Sequence, residues 1–268
     1  MNKIILRLSN ELGNQMFMYA SALGISKKLN RKLLIDNETA FLLKKNISKY
    51  GLDNFNIKSE IAPDDYKFLG TYGYLKRKLL IKSNFYISQK KFLIEKKNKK
   101  KISSFDDEIF NINFSKDVFM EGNFESEKYF SDIKHLIIEE FSFYNTEKYR
   151  KSPFFDILNN DNAVSICLRQ NRFLEGKNNK NNDINRIESE KFSNEQINYI
   201  NKSINFFKNK INNPVFYIWS NDFYNFDESK FNSPINKVIH NSEFLQKLDK
   251  RALDLFLISL CKHHIVIP

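Results

Sequence analysis

The chain has 268 residues, of which 41% are hydrophobic and 15% aromatic, enough to bury a sizeable core and to exclude a largely disordered protein. Its net charge of +11 is concentrated in lysines around residues 76–101. The favoured interpretation of that stretch is a solvated basic face, and the second is contact with anionic lipid or an acidic glycan. Nucleic-acid binding is the least favoured, because no recognisable nucleic-acid module accompanies the charge.

The N-terminus shows no targeting pattern, because the first three residues lead directly into an apolar run. No apolar stretch approaches the roughly 20 residues that a membrane-spanning helix needs. The two cysteines, Cys167 and Cys261, are far apart and lie in apolar surroundings, so we expect two reduced core thiols. These observations predict a cytoplasmic protein.

The first recognisable pattern is a strand followed by a helix. An apolar run over residues 3–8 predicts a buried strand, and apolar residues recur at helical spacing from Gln15 onward. Ligands collect at the carboxyl ends of strands in such units, so the polar loop between them is a candidate site. We expect Gly13 to allow a sharp turn, with Asn14 and Gln15 presenting amide groups at the helix N-terminus. An ordinary strand–helix turn is the alternative.

The rest of the N-terminal half predicts further α/β structure. Strands are expected at residues 31–36 and 117–121, with a helix after residue 130. Residues 40–104 show no motif or clear periodicity. A polar, proline-containing stretch then places a boundary, so that the predicted domains are residues 1–158 and 159–268.

The C-terminal half repeats the alternation of strand and helix. A capping box at Ser193 and Gln196 is expected to open one of its helices. This alternation predicts a parallel, doubly wound α/β sheet. The predicted strands are residues 163–169, 215–219, 238–239 and 265–267, and the predicted helices are residues 193–211 and 249–260.

Arg169 stands at the carboxyl end of a predicted buried strand. A guanidinium group stays charged, offers a planar fork of donors and bonds phosphate oxygens in pairs, so this position suits a diphosphate. A surface salt bridge is the alternative role. The neighbouring histidines His263 and His264 point to opposite faces of a strand, which favours a core-and-surface pair over a pair of ligands.

Several segments resemble one enzyme family. Residues 12–20 resemble the N-terminal signature of family 11 glycosyltransferases, the α-1,2-fucosyltransferases, usually written Gly-Gly-Leu-Gly-Asn-Gln-Met-Phe-Gln-Tyr-Ala. Asn10, Glu11 and Met18 depart from it. The resemblance extends in patches to Gly122–Phe130, to Ser220–Asp222, where Asn221 departs from the family's Phe-Ser-Asp-Asp segment, and to Cys261–Ile265.

This resemblance implies a GT-B-like fold, in which two Rossmann-like doubly wound domains face each other across a cleft. It also implies an inverting transfer of L-fucose from GDP-fucose to the 2-hydroxyl of a galactoside in a bacterial surface glycan, such as lipopolysaccharide O-antigen or capsule. Members of the family continue into a Ser-rich, Trp-containing segment that this sequence does not contain. We therefore expect the second domain to be incomplete.

The resemblance also implies a donor site. Relatives carry His-x-Arg-Arg-x-Asp where this chain has Cys167–Arg172, so Arg169 keeps the first arginine, Gln170 replaces the second, and Arg172 could supply the missing cation. Arg169 is the predicted catalytic residue, and no general base is predicted. No metal or cofactor is expected, because no Asp-x-Asp motif appears where a metal-dependent transferase needs it. The predicted donor-binding residues are Arg169, Arg172, Gly13, Asn14, Gln15, Ser220, Asn221 and Asp222.

The expected partners are a nucleotide sugar and a glycan acceptor, lipid-linked or free, with peripheral contact to an anionic membrane and no nucleic acid. One alternative is a catalytically inactive remnant of such an enzyme. The other is a basic membrane- or RNA-associated protein without enzymatic activity, which would use the lysine-rich residues 76–101.

Overall fold

A computed structural model describes residues 1–42, 48–96, 104–174, 182–246 and 248–267. The chain divides into two compact units, residues 1–145 and 146–268. Each unit contains one parallel sheet with helices, so the predicted α/β class with parallel sheets is confirmed.

The described part of the first unit contains a five-stranded sheet in the order β3-β2-β1-β5-β4, in which every pairing is parallel. Its strands are β1 (Lys3–Arg7), β2 (Lys32–Asp36), β3 (Glu60–Ile61), β4 (Lys90–Ile94) and β5 (Phe114–Glu121). Its helices are α1 (Leu12–Lys28), α2 (Gly70–Ser83) and α3 (Lys134–Glu140).

The two N-terminal segments of the family resemblance pack against each other in this unit. Ser21 Oγ donates a hydrogen bond to the carbonyl of Phe124 over 2.8 Å. One turn further along α1, Gly24 lies so close to the backbone of Tyr129 that a Cβ atom there would be 2.0 Å from its carbonyl oxygen. Glycine is therefore required by close backbone approach at this point of the helix.

Two glycines of α1 provide a matched stability test. Gly24→Ala should destabilise the protein by about 3 kcal/mol or more, because the backbone of residues 129–130 must move to admit the methyl group. Gly13→Ala should be neutral or stabilising by about 0.5–1 kcal/mol, since a Cβ there meets nothing within 4 Å and alanine favours the helix. Thermal unfolding of both variants measures this difference, and equal midpoints would contradict the close approach.

The described part of the second unit contains a four-stranded parallel sheet in the order β8-β7-β6-β9. Its strands are β6 (Ala163–Leu168), β7 (Val215–Ser220), β8 (Ile235–Lys237) and β9 (His263–Ile265). Its helices are α4 (Glu147–Arg150), α5 (Phe155–Leu158), α6 (Asn182–Lys210), α7 (Ser242–Leu245) and α8 (Lys250–Leu260).

Alternation along β6 explains how α6 packs on one face of this sheet. Val164, Ile166 and Leu168 point to one face and belong to a buried apolar cluster that includes Ile200 and Ile204 of α6. That helix covers their face because its apolar residues recur at helical spacing.

The division between the units falls earlier than the predicted boundary after residue 158. Helices α4 and α5, which the sequence placed in the first domain, pack against α8 of the second unit. The rings of Tyr149 and Phe155 lie 5.2 and 6.1 Å from the ring of Phe256. Aromatic packing therefore attaches these short helices to the C-terminal sheet.

Several elements begin elsewhere than predicted. Helix α1 begins at Leu12 instead of Gln15, and α6 begins at Asn182, so the predicted capping box at Ser193 lies inside a continuous helix. Strands β8 and β9 lie two to three residues earlier than their predicted positions. Cys261 is buried as expected, whereas Cys167 is exposed, so only one of the two thiols lies in the core.

Candidate active site at the strand ends

The two central strands of the C-terminal sheet end side by side. Leu168 of β6 pairs with Ser220 of β7, so the loops that follow these strands leave the same edge of the sheet. This carboxyl edge is where parallel α/β sheets bind ligands. It contains five of the eight residues predicted for the donor site, namely Arg169, Arg172, Ser220, Asn221 and Asp222.

Hydrogen bonds hold the two loops together. The backbone N–H of Gln170 donates to Asn221 Oδ1 over 2.7 Å, and Asn221 Nδ2 donates back to the carbonyl of Gln170 over 2.7 Å. Gln170 Nε2 donates to Ser220 Oγ over 3.1 Å and also to the carbonyl of Asp222. Gln170 and Asn221 both depart from the family pattern, and the structure shows that they bond to each other.

Asp222 organises the loop after β7. Its carboxylate accepts hydrogen bonds of 2.7 Å from the amides of Asn171 and Asn225, and it also accepts from the backbone N–H of Tyr224 and Asn225. The hydrogen bond from the Asn225 side chain is the main cause that lowers the pKa of this carboxyl group. Asp222 therefore shapes the loop after β7, and its contact with the donor stays a prediction.

Arg169 is exposed, but a residue of α6 hydrogen-bonds to both its backbone N–H and its backbone carbonyl. Gln196 Oε1 accepts from the N–H of Arg169 over 3.3 Å, and Gln196 Nε2 donates to its carbonyl over 2.8 Å. Gln196 itself is only 5% exposed. The base of the Arg169 side chain is therefore held in place at the carboxyl end of β6.

Arg172 is placed differently from Arg169. Its guanidinium carbon lies 4.8 Å from the ring centre of Phe192 and 5.9 Å from that of Phe173, which are cation–π distances. Arg172 lines a recess of about 340 Å³ on the β9 side of β6, together with Cys167 and His264. The predicted second cation is therefore at the same edge of the sheet but stacked on aromatic rings.

A larger recess of about 520 Å³ opens on the β7 side of β6. Helix α6 forms one wall, because its first half extends beyond the point at which Gln196 meets the end of β6. The recess has an apolar floor and a polar rim, and its volume is in the range that suits a small ligand. Residues of the floor include Leu168, Ile197, Phe226 and Phe231, and those of the rim include Gln170, Asn171, Arg186, Ser193 and Lys230.

The structure assigns other roles to two of the three predicted donor residues in the N-terminal unit. Gly13 lies in the first turn of α1, and the residue with left-handed backbone in the preceding loop is Asn10, with a φ of 66°. Gln15 is fully buried: its Nε2 donates to the carbonyls of Asn10 and Lys49, and its Oε1 accepts from the N–H of Gly51. The predicted sharp turn at Gly13 and the predicted ligand contact of Gln15 are therefore corrected. Asn14 is half-buried in the first turn of α1.

Three further residues of the N-terminal signature pack in the core, whereas Phe17 is exposed. Met18, Tyr19 and Ala20 are at most 2% exposed. The hydroxyl of Tyr19 hydrogen-bonds to the carboxylate of Glu140 and lies 2.9 Å from Ser59 Oγ. Burial raises the pKa of this hydroxyl, so the neutral donor form is the stable one.

A charged cluster at the carboxyl edge of the N-terminal sheet was not predicted. Arg77 Nε donates to Glu121 Oε1 over 2.6 Å, and Arg7 Nη1 lies 3.8 Å from Glu121 Oε2. Burial lowers the pKa of Arg7, whose Nε is buried with no hydrogen-bond partner among the described residues. The hydrogen bond to Glu121 raises the pKa of Arg77. Arg7 is the last residue of β1 and Glu121 the last residue of the adjacent strand β5. A charged residue at the end of each apolar run is the sequence feature that could have predicted this cluster.

The architecture of the two units indicates a fold class more clearly than any single residue does. Two units, each built on a parallel sheet with polar loops at its carboxyl edge, agree with the GT-B-like fold that the resemblance implied.

Sequence comparison supports a particular branch of that class. The chain is 24% identical over 279 aligned positions to an "Alpha-1,2-colitosyltransferase" of Escherichia coli, covering 99% of this chain and 84% of that protein. No family model matches the chain. The sequence relative supports the resemblance to family 11 fucosyltransferase-like glycosyltransferases that the motifs predicted.

Structural comparison agrees on the fold. The crystal structure of the fucosyltransferase NodZ from Bradyrhizobium aligns with a TM-score of 0.54 at 13% identity, covering all of this chain and 88% of that one. NodZ α-1,6-fucosyltransferase co-crystallized with GDP gives a TM-score of 0.53 at 12% identity, over 98% of this chain and 87% of that one.

Proposed function

We propose that the protein is an inverting, metal-independent glycosyltransferase that transfers L-fucose from GDP-fucose to the 2-hydroxyl of a galactoside in a bacterial surface glycan. The observation that carries the proposal is Arg169, a cation at the carboxyl end of β6 whose backbone is fixed by Gln196. The similarity to a colitosyltransferase and the fold shared with GDP-binding fucosyltransferases support a GDP-sugar as donor.

In the proposed reaction the acceptor hydroxyl attacks the anomeric carbon while the bond to the diphosphate breaks. The proton of that hydroxyl passes to a base, and the bonding electrons leave with GDP. Negative charge builds on the β-phosphate, where a fixed guanidinium group lowers the barrier. Arg169 supplies that cation, and Arg172 supplies a second one from the adjacent recess.

The colitosyltransferase relative favours a second donor, a GDP-linked 3,6-dideoxy sugar. Fucose and colitose differ by one ring hydroxyl, so a site that hydrogen-bonds this hydroxyl would reject the dideoxy sugar strongly. Competition between GDP-fucose and GDP-colitose, compared as kcat/KM, identifies the donor.

Thermal unfolding in the presence of nucleotides tests the donor class. A ligand at about 100 times its Kd stabilises a two-state fold by about 2.7 kcal/mol, so GDP and GDP-fucose should raise the unfolding midpoint. UDP-galactose should leave it unchanged, and GDP-mannose should act no more strongly than GDP. A cooperatively unfolding protein whose midpoint no GDP compound shifts would overturn the proposal in favour of a non-enzymatic role.

We further propose that the acceptor is lipid-linked, so that the enzyme works at the cytoplasmic face of the membrane. Among the described residues, no helix combines the length and apolar character needed to cross a bilayer.

A further inference from the structure

One helix of the N-terminal unit exposes an apolar face. Tyr72, Leu75 and Leu79 of α2 are 79%, 53% and 69% exposed, and their spacing places them on one side of the helix. Gly73, on the opposite side, is the only residue of α2 in the buried class. Helix α2 therefore attaches to its sheet by the other side and leaves an apolar stripe open to solvent.

The turn after α2 extends the exposed apolar surface. Phe85 and Tyr86 are 81% and 91% exposed. Hydrogen bonds nevertheless fix the turn. Asn84 Oδ1 accepts from the N–H groups of Lys91 and Phe92, and Lys90 Nζ donates to the carbonyl of Ile87. The two rings are thus presented by a held backbone instead of by a frayed helix end.

Positive charge borders this stripe, and α2 itself carries no acidic residue, although Asp65 and Asp117 line a recess together with Lys76. The sequence contains no Asp or Glu between Asp65 and Glu95. Lys76 lies on one side of the stripe, and Lys78 and Lys82 lie on the other. Neither Lys76 nor Lys82 forms an ion pair with a carboxylate in the part of the chain that the structure describes.

We propose that this face, formed by Tyr72, Leu75, Leu79, Phe85, Tyr86 and the lysines beside them, is a docking surface for an anionic phospholipid bilayer. Aromatic and leucine side chains flanked by lysines suit the boundary between acyl chains and headgroups, where rings insert and ammonium groups meet phosphates. Each lysine near an anionic surface adds to the attraction.

The positive charge of this face favours an anionic bilayer over a second copy of the chain as its partner. A two-fold symmetric dimer would place this face against itself and bring the lysines of α2 against those of its copy, while α2 itself offers no carboxylate to pair with them. An anionic bilayer supplies the missing negative charge and an apolar interior at once. The inference goes beyond the transfer reaction and does not depend on which sugar is transferred.

Vesicle cosedimentation of the whole chain tests the surface. Vesicles with 30% phosphatidylglycerol in phosphatidylcholine should bind the protein, pure phosphatidylcholine should bind at least tenfold less, and raised salt should weaken binding. The double variants Leu75→Ser/Leu79→Ser and Lys76→Glu/Lys82→Glu should each lose at least tenfold in affinity. Unchanged unfolding midpoints and an unchanged nucleotide response would show that both variants remain folded.

The matched control makes the same charge change elsewhere. Lys202→Glu/Lys210→Glu, at two exposed positions of α6, should leave vesicle binding within about twofold. If the control loses as much affinity as the α2 variants, net charge alone drives binding and the proposal fails. Dimerisation in light scattering that the Leu75/Leu79 variant abolishes, without vesicle binding, would assign the face to a second copy instead.

Discussion

Replacing Arg169 by alanine should lower kcat for the GDP-sugar donor at least a hundredfold, equivalent to about 2.7 kcal/mol of transition-state stabilisation. The reason is that this guanidinium extends from a backbone fixed at the carboxyl end of β6, where the leaving diphosphate would develop its charge. Steady-state kinetics should show a larger fall in kcat than rise in KM, because charge on the β-phosphate is greatest in the transition state.

Two further variants make this result specific. Arg172→Ala should cost less, about tenfold, since the aromatic stacking of Arg172 against Phe192 already occupies its guanidinium face. Lys210→Ala removes an exposed cation in the last turn of α6 and should leave kcat unchanged. If Arg169→Ala keeps full turnover while its unfolding midpoint matches the parent chain, the proposed diphosphate clamp is wrong.

The fold was largely predictable because burial leaves a strong pattern. Apolar runs identified β1, β2, β6 and β7, each of which is buried by a parallel neighbour on both sides. Helix α2 was missed for the opposite reason, since its apolar residues face solvent and no buried face imposes a periodicity. The apolar residues of its exposed stripe do have helical spacing, but residues 40–104 as a whole show no clear periodicity and predict no helix.

The site was only partly predictable because sequence gives residue types but not hydrogen-bond partners. Arg169 was located by its position at the end of a strand, which is a local property. Gln170 and Asn221 looked like losses from a family motif, whereas the structure pairs them across two loops that are 51 residues apart in sequence. Gln15 is the opposite case. Its position beside a strand end predicts a ligand contact, but in the structure the amide nitrogen and the amide oxygen of its side chain both form hydrogen bonds within the N-terminal unit.

Gln15→Ala should destabilise the N-terminal unit by about 3 kcal/mol, because it removes the three hydrogen bonds of a fully buried side chain and leaves the carbonyls of Asn10 and Lys49 and the N–H of Gly51 without this partner. The unfolding midpoint should fall by roughly 10 °C for a unit of this size. Asn14→Ala, the neighbouring amide in the same helical turn, is the control and should change the midpoint little.

The isosteric change Gln15→Glu separates packing from hydrogen bonding in this position. It retains the acceptor for Gly51 but turns a carboxylate toward two carbonyl oxygens, so it should destabilise at neutral pH about as much as Gln15→Ala. The fold disfavours the charged form and so raises the pKa of the new carboxyl group, which means that the loss should shrink as pH falls and the group becomes protonated. Unfolding midpoints of both variants between pH 4 and 8 measure this. A Gln15→Ala protein with an unchanged midpoint but a raised KM for the donor would restore the ligand contact that the signature first suggested.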